Sequence, residues 1–188
     1  MKDFNLIVNG VGGQGLVTLL KIVAEAAQIE GFDVRASELH GLSQRGGSVE
    51  VYIRFGQVIY SPLVAQGKAD LVISLEEQEA LNGLYFANQK TVFLANKYRT
   101  PTFLKDVPEE EVLAEVKKVS PNVFLIPANE VCLKEFKTDV VSGIYLLGQA
   151  LAKGCLPLKK ESLILAFKKI IPEQYLELNL KAFDLAQS

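Results

Sequence analysis

Phe4-Asn5-Leu6-Ile7-Val8-Asn9-Gly10-Val11-Gly12-Gly13-Gln14-Gly15-Leu16 is the stretch whose reading decides the fold. Phe4 to Val8 is a short apolar run of strand type. Gly10 to Gly15 is a glycine-dense turn that satisfies G-x-G-x-x-G. Leu16, Leu20, Val23 and Ala27 then recur at helical spacing and stop at Gly31. Strand, glycine turn and helix in that order form the context of a dinucleotide fingerprint. Glycine permits a tight turn and close backbone approach, and a helix N-terminus favours an anion. Two roles stay open for Gly10, Gly12, Gly13, Gln14 and Gly15. They hold an anion such as a nucleotide phosphate, or they let the first helix pack on the first strand. The fingerprint also wants an acid ~20 residues on, at the end of the second strand. Glu38 is near that place but late.

Outward from this stretch the chain alternates strand and helix. Asp33 to Leu39 reads as a strand, followed by a polar loop from His40 to Gly47. Ser48 to Phe55 alternates, with Val49, Val51, Ile53 and Phe55 on one face. Gly56-Gln57 has the form of a two-residue hairpin turn into Val58–Tyr60. Ala69 to Leu75, Thr91 to Ala95 and Asn122 to Ile126 are apolar strand runs suited to a parallel sheet. Helices are expected at Glu76–Ala87, from Glu109 through Val119, and near Asn129–Phe136, Asp139–Lys153, Lys159–Ile171 and Pro172–Ala186. The pattern predicts an α/β, doubly wound, Rossmann-like three-layer sandwich. Its sheet is mostly parallel with an antiparallel hairpin edge, and its C-terminal third is helical. One domain over residues 1–188 is expected. The last helix carries two apolar stripes, Leu176/Leu180/Phe183 and Leu178/Ala182/Leu185, and so calls for two packing partners, one of them a second chain.

Composition excludes several classes. Twenty basic and 22 acidic side chains give a net charge of −2, which makes no case for nucleic acid or for an anionic membrane surface. No stretch of ~18 apolar residues is present to span a membrane. The N-terminal apolar run is too short for a signal peptide, so a cytoplasmic location is expected. Cys132 and Cys155 are the two cysteines and His40 is the one histidine. An iron–sulfur cluster wants four thiolates and a structural zinc four Cys/His ligands, so neither is built from this chain. Both thiols are expected buried and reduced.

The segment Ser37-Glu38-Leu39-His40-Gly41-Leu42-Ser43-Gln44-Arg45-Gly46-Gly47-Ser48 is the most unusual. It concentrates carboxylate, imidazole, hydroxyl, amide and guanidinium between two strands, where loops commonly carry chemistry. His40 is a candidate general acid/base, and Arg45 a candidate clamp for a carboxylate or phosphate. Glu38, His40, Gly41, Ser43, Gln44, Arg45, Gly46 and Gly47 form a candidate substrate or interface loop. The alternative is a loop in which Arg45 ties down backbone carbonyls.

Residues 8–27 (VNGVGGQGLVTLLKIVAEAA) and 37–56 (SELHGLSQRGGSVEVYIRFG) resemble the gamma subunit or domain of the 2-oxoacid:ferredoxin oxidoreductases. Tyr60–Leu63, Ala69–Glu77 and Leu146-Leu147-Gly148 with Pro157-Leu158 fit the same family. The form of residues 40–47, with His40 and Gln44-Arg45, is similar to the beta subunits of the indolepyruvate branch. The resemblance implies oxidative decarboxylation of an aryl 2-oxoacid such as indole-3-pyruvate. Coenzyme A is the co-substrate and ferredoxin the acceptor, reached through a complex. It implies thiamine diphosphate, magnesium and iron–sulfur clusters in a larger alpha subunit and none in this chain, which lacks the Gly-Asp-Gly of a thiamine site. The chain is then inactive alone, and His40 and Arg45 contribute by positioning at the subunit interface. One departure is Gly143, where family members often carry Asn. Three rivals stand: a gamma subunit serving another 2-oxoacid or an aromatic aldehyde, a stand-alone nucleotide-binding oxidoreductase using Gly10–Gly15, and a non-catalytic assembly module.

Overall fold

A computed structural model describes residues 3–40, 47–100 and 107–188, with His40 described by its backbone. β1 (Phe4–Val11) is a central strand. On one side it pairs antiparallel with β3 (Ser48–Gly56), Phe4 facing Phe55 and Val11 facing Ser48. On the other it pairs parallel with β4 (Leu71–Ser74), Asn9 beside Ser74. β2 (Asp33–His40), β5 (Val92–Asn96) and β6 (Val123–Ile126) complete the order β2-β3-β1-β4-β5-β6. β3 pairs antiparallel with both neighbours, while β1, β4, β5 and β6 are parallel. This is the expected doubly wound α/β sheet with an antiparallel edge.

The edge is made differently from the hairpin that Gly56-Gln57 suggests. Residues 58–60 form no strand, and β3 returns alongside β2 and β1 instead. The physical reason lies at both ends of the supposed turn. A Cβ on Gly56 would stand 2.7 Å from Asp3 Oδ1 and 3.2 Å from Asp3 Cα, so glycine is needed for close approach. Beyond it, the Ile59 N–H donates to Asp33 Oδ2 at 2.8 Å and the Ile59 side chain is buried. The chain is thus drawn across the ends of its neighbours.

α1 (Leu16–Ile29) starts after Gly15 in the left-handed region, φ 83°. It ends in a Schellman motif: Gly31, also at φ 83°, donates to Gln28 O, and Phe32 N donates to Ala27 O. The helix expected at Glu76–Ala87 is a 3₁₀ run, Gln78–Phe86. Asn82-Gly83 is a poor α-helix former, and a Cβ on Gly83 would lie 2.8 Å from Val72 Cγ1. The segment lies close on β4 in a tighter coil. α2 (Glu109–Val119), α3 (Ala128–Phe136), α4 (Ser142–Ala152), α5 (Lys160–Ile170) and α6 (Glu173–Leu185) follow.

The sheet divides two cores. On one face Leu6, Val8, Ile53, Phe55 and Ile73 pack beneath the helical layer, with Phe167 of α5 against Phe183 of α6 edge-on at 4.9 Å. On the other, Ile7, Tyr52, Val72 and Phe93 pack beneath the 3₁₀ run and α2. Both stripes of α6 contribute to the first core, since Leu176, Leu178, Leu180, Ala182 and Phe183 all pack there. The second chain expected on α6 is therefore not needed, because α4 and α5 flank it. Cys132 is buried as expected, whereas Cys155 is half-buried, in the turn beyond α4. Burial pushes the Cys132 thiol up to about 11, which suits a structural cysteine. Among the described residues no helix is long and apolar enough to cross a membrane.

Candidate functional site

From β1 the chain crosses by α1 towards β2, and from β4 it turns the other way to β5. The carboxyl ends of β1 and β4 therefore flank a topological switch point, where open α/β sheets hold ligands. A cleft of about 290 Å³ lies there. Gly13, Gln14 and Gly15 form one wall, Leu75, Tyr98 and Thr100 a second, and Asn129 and Ser142 open helices α3 and α4 on the third. A smaller recess of about 90 Å³ continues between α1 and α4. Gly143 lines it, and a Cβ there would approach Leu19 Cδ1 to 3.1 Å. A larger residue at this position needs Leu19 to move.

The glycine loop has a division of labour. Gly13 and Gly15 supply positive φ, 106° and 83°. Gly10 supplies close approach, since a Cβ would meet Gln14 Oε1 at 2.8 Å and Leu75 Cβ at 3.0 Å. Gln14 clasps the loop. Its Oε1 accepts from Val11 N at 2.9 Å, and its Nε2 donates to Glu76 Oε1 at 2.6 Å. Glu76, itself buried, also accepts from the Thr100 hydroxyl and from Thr100 N at 3.1 Å.

Across the cleft, Asn96 Oδ1 accepts from Ala128 N, the first N–H of α3, at 3.0 Å. Asn96 Nδ2 donates to Asn129 Oδ1 at 2.6 Å, and Asn129 Nδ2 donates to Asp139 Oδ2 at 2.9 Å. The N-termini of α1 and α4 carry no side-chain cap. Ser142 N, the first of α4, already donates to Asp139 O at 2.9 Å, so the leading N–H groups of α1 and those of α4 beyond Ser142 are the donors left for a small polar or anionic group, while Glu76 and Asp139 are held by neutral partners.

The two regions singled out by sequence meet. The antiparallel β2–β3 pair brings His40 and Gly47, which flank residues 41–46, to the sheet edge at which β1 ends, with His40 opposite Val49. Gly12 N donates to Gly47 O at 3.0 Å, tying the loops together. Gly41, Ser43, Gln44, Arg45 and Gly46 lie outside the described residues, as does the His40 side chain. Glu38 sits on β2 opposite Val51, so β3 separates it from β1. Two strand spacings put its backbone about 10 Å from that of β1. The ribose-binding acid of a dinucleotide fold sits on the strand beside the glycine loop, and Glu38 does not occupy that place.

At the base of the second loop, Ser48 Oγ donates to Glu79 Oε2 at 2.5 Å, and Asn82 Nδ2 donates to both at 2.9 and 2.8 Å. Burial raises the Glu79 pKa; hydrogen bonds from Ser48 and Asn82 oppose this, and the Glu76 and Glu50 charges add to it. Burial likewise raises Glu77, against its ion pair with Arg99.

Sequence reasoning missed Glu76, Asn96, Thr100, Asn129 and Asp139. It also missed Asn9 and Ser74, fully buried neighbours on β1 and β4 whose side-chain polar atoms have no protein partner. A signal was available, because Asn9, Ser74 and Asn96 each follow an apolar strand run at its carboxyl end.

A glycine loop at the switch point of a mixed sheet, beside an inserted antiparallel strand, defines a Rossmann-like domain. The chain belongs to the pyruvate ferredoxin/flavodoxin oxidoreductase family, whose profile matches residues 5–188. It is similar to the indolepyruvate oxidoreductase subunit IorB of Archaeoglobus fulgidus, 35% identical over 187 residues, covering 96% of this chain and 92% of that one. Its fold matches the gamma subunit of the keto/oxoacid ferredoxin oxidoreductase from Geobacter sulfurreducens, with TM-score 0.74, 22% identity, and coverage of 100% and 95%. It also matches a 2-oxoglutarate:ferredoxin oxidoreductase from Magnetococcus marinus, with TM-score 0.73 and 20% identity. There it covers all of this chain and 31% of the longer one.

Proposed function

We propose that this chain, as one gamma-type domain over residues 1–188, is the beta subunit of an indolepyruvate ferredoxin oxidoreductase. Indole-3-pyruvate, coenzyme A and two oxidised ferredoxins give indole-3-acetyl-CoA, carbon dioxide, a proton and two reduced ferredoxins. The observation that carries this reading is the 35% identity to an IorB subunit along almost the whole of both chains. The chain's two cysteines and missing Gly-Asp-Gly support placing the cofactors in an alpha subunit. When bound there, thiamine diphosphate with magnesium supplies the electron sink that decarboxylation needs, and iron–sulfur clusters carry electrons to ferredoxin.

This chain's own residues bind and orient. The uncapped N-termini of α1 and α4, beside Gly13–Gly15, suit an anionic group such as a coenzyme A phosphate. His40 ends β2 at the same sheet edge, two strands from β1, and Gly47 accepts from Gly12 N, which supports a shared interface role for His40 and Arg45. Arginine's planar fork matches a carboxylate or phosphate as lysine's point charge does not.

The test is steady-state ferredoxin reduction by the reconstituted complex. Indole-3-pyruvate is expected to exceed pyruvate and 2-oxoglutarate in kcat/KM, and the isolated chain is expected to be inactive. Arg45→Lys is expected to lower kcat/KM about 10- to 100-fold, the worth of a charge-assisted hydrogen bond, with assembly retained. A complex that prefers another 2-oxoacid overturns the substrate. An isolated chain that gains thermal stability from NAD, NADP or FAD, and turns over alone, overturns the subunit reading.

A further inference from the structure

The amino ends of β1 and β4, opposite the switch point, border a groove of about 860 Å³ that the proposed function does not use. Its floor is committed to the fold. Arg54 Nε donates to Asn5 Oδ1 at 2.7 Å and Nη1 to Ser61 O at 2.9 Å, while Asn5 N donates to Asp70 Oδ2 at 2.8 Å. Its rim is not committed. Lys68 and Lys90 line the groove, are exposed, and form no ion pair with a described carboxylate.

Leu63, which also lines the groove, is 60% exposed, and Tyr60 on the same loop is 93% exposed. This exposure is built rather than loose. Ile59 and Val64 are buried anchors on either side, Asp33 holds Ile59 N, and Arg54 holds the carbonyl of Ser61. A fixed loop that presents an aromatic and a leucine loses little conformational freedom on docking, and aromatics of this kind dominate interface energetics.

We propose that the Tyr60–Leu63 loop and the Lys68/Lys90 groove dock the large subunit of the complex through a segment carrying apolar side chains and carboxylates. The inference rests on the subunit reading above. Charge complementarity sets the chemistry of the occupant: Lys68 and Lys90 form no ion pair with a described carboxylate, and with Arg54 they outnumber the groove's own carboxylates, Asp3 and Asp70. That the same fold is 31% of a longer oxidoreductase chain shows it can be built beside a much larger body.

The test measures binding of the full chain to the large subunit by titration calorimetry and stopped-flow at two salt concentrations. Tyr60→Ala is expected to weaken the Kd about 30-fold. The double variant Lys68→Glu/Lys90→Glu is expected to associate about 10-fold more slowly at low salt and to lose the salt dependence of the wild type. Lys134→Glu, an exposed charge reversal on α3, is expected to bind as wild type. Wild-type binding by both Tyr60→Ala and the double lysine variant overturns this surface while leaving the subunit reading intact. Failure of the wild type itself to bind overturns the subunit reading, and this surface with it. A homodimer that Tyr60→Ala dissociates, seen by light scattering, overturns the proposed occupant in favour of a second copy.

Discussion

Along β3, Val49, Val51, Ile53 and Phe55 share the face covered by the helical layer, and all four are buried in its core. The residues between them, Ser48, Glu50, Tyr52 and Arg54, look the other way. Ser48 bonds to Glu79, Tyr52 Oη donates to Glu50 at 2.5 Å, and Arg54 bonds to Asn5. The same contrast holds on β1 and β4, where Leu6, Val8, Leu71 and Ile73 oppose Asn9 and Ser74. The helical face is mostly apolar, with Asn96 at its rim, and the other mixes an apolar core with more buried polar groups. Apolar burial is non-directional and tolerates drift, whereas polar networks fix atoms in place. Polar groups at the strand ends, on either face, thus set the geometry of the loops above them.

Breaking the helical face should cost most. Phe183→Ala removes a fully buried ring that packs on Phe167, and a loss of about 3–5 kcal/mol is expected in urea unfolding. A loss below about 1 kcal/mol would mean that this face is not the main source of stability. Gln14→Ala comes next. It unties Val11 N and leaves buried Glu76 with Thr100 as its partner among the described residues, so about 1–3 kcal/mol is expected. Loop cleavage by protease should rise with it.

The contrast sharpens at Ser74. Its hydroxyl is buried without a protein partner, so Ser74→Ala should leave stability unchanged or raise it by up to about 1 kcal/mol. A clear loss there would reveal a partner such as bound water. Glu79→Gln should have the smallest effect, and one that depends on pH. Glu79 has a raised pKa, so the folded state holds its proton more tightly than the unfolded chain does. Its contribution is fully present below the ordinary glutamate value of about 4.5 and is lost as pH rises through the folded pKa. Glutamine keeps an acceptor for Ser48 and Asn82, so the variant should gain on the wild type as pH climbs from 4 to 7. Parallel melting curves across that range would expose the opposite sign.

These features were unevenly legible in the sequence. The period-2 alternation from Ser48 to Phe55 was plain, because each side chain answers to one face. The path after Gly56 was not, because its glycine answers to Asp3, a residue distant in sequence and brought close by the β1–β3 pairing. The strand ends were half legible. Glycine at 10–15 announces a loop by composition, whereas Asn9, Ser74 and Asn96 are single polar residues whose meaning depends on which strands stand side by side. The segment Glu76–Ala87 misled because periodicity reports which face is apolar and not how tightly the coil is wound.

The insertion of β3 between β2 and β1 also bears on how the chain is made. The first strand has no partner until much later residues arrive, since Phe4 waits for Phe55 and Asn9 for Ser74. During synthesis the nascent chain must therefore carry Leu6, Ile7 and Val8 unpaired while α1 and β2 emerge. Long-range pairing of this kind is slow to close and exposes strand edges in the interval. The β2–β3 pair, local in sequence, is the element placed to form first and to offer β1 an edge on which to settle.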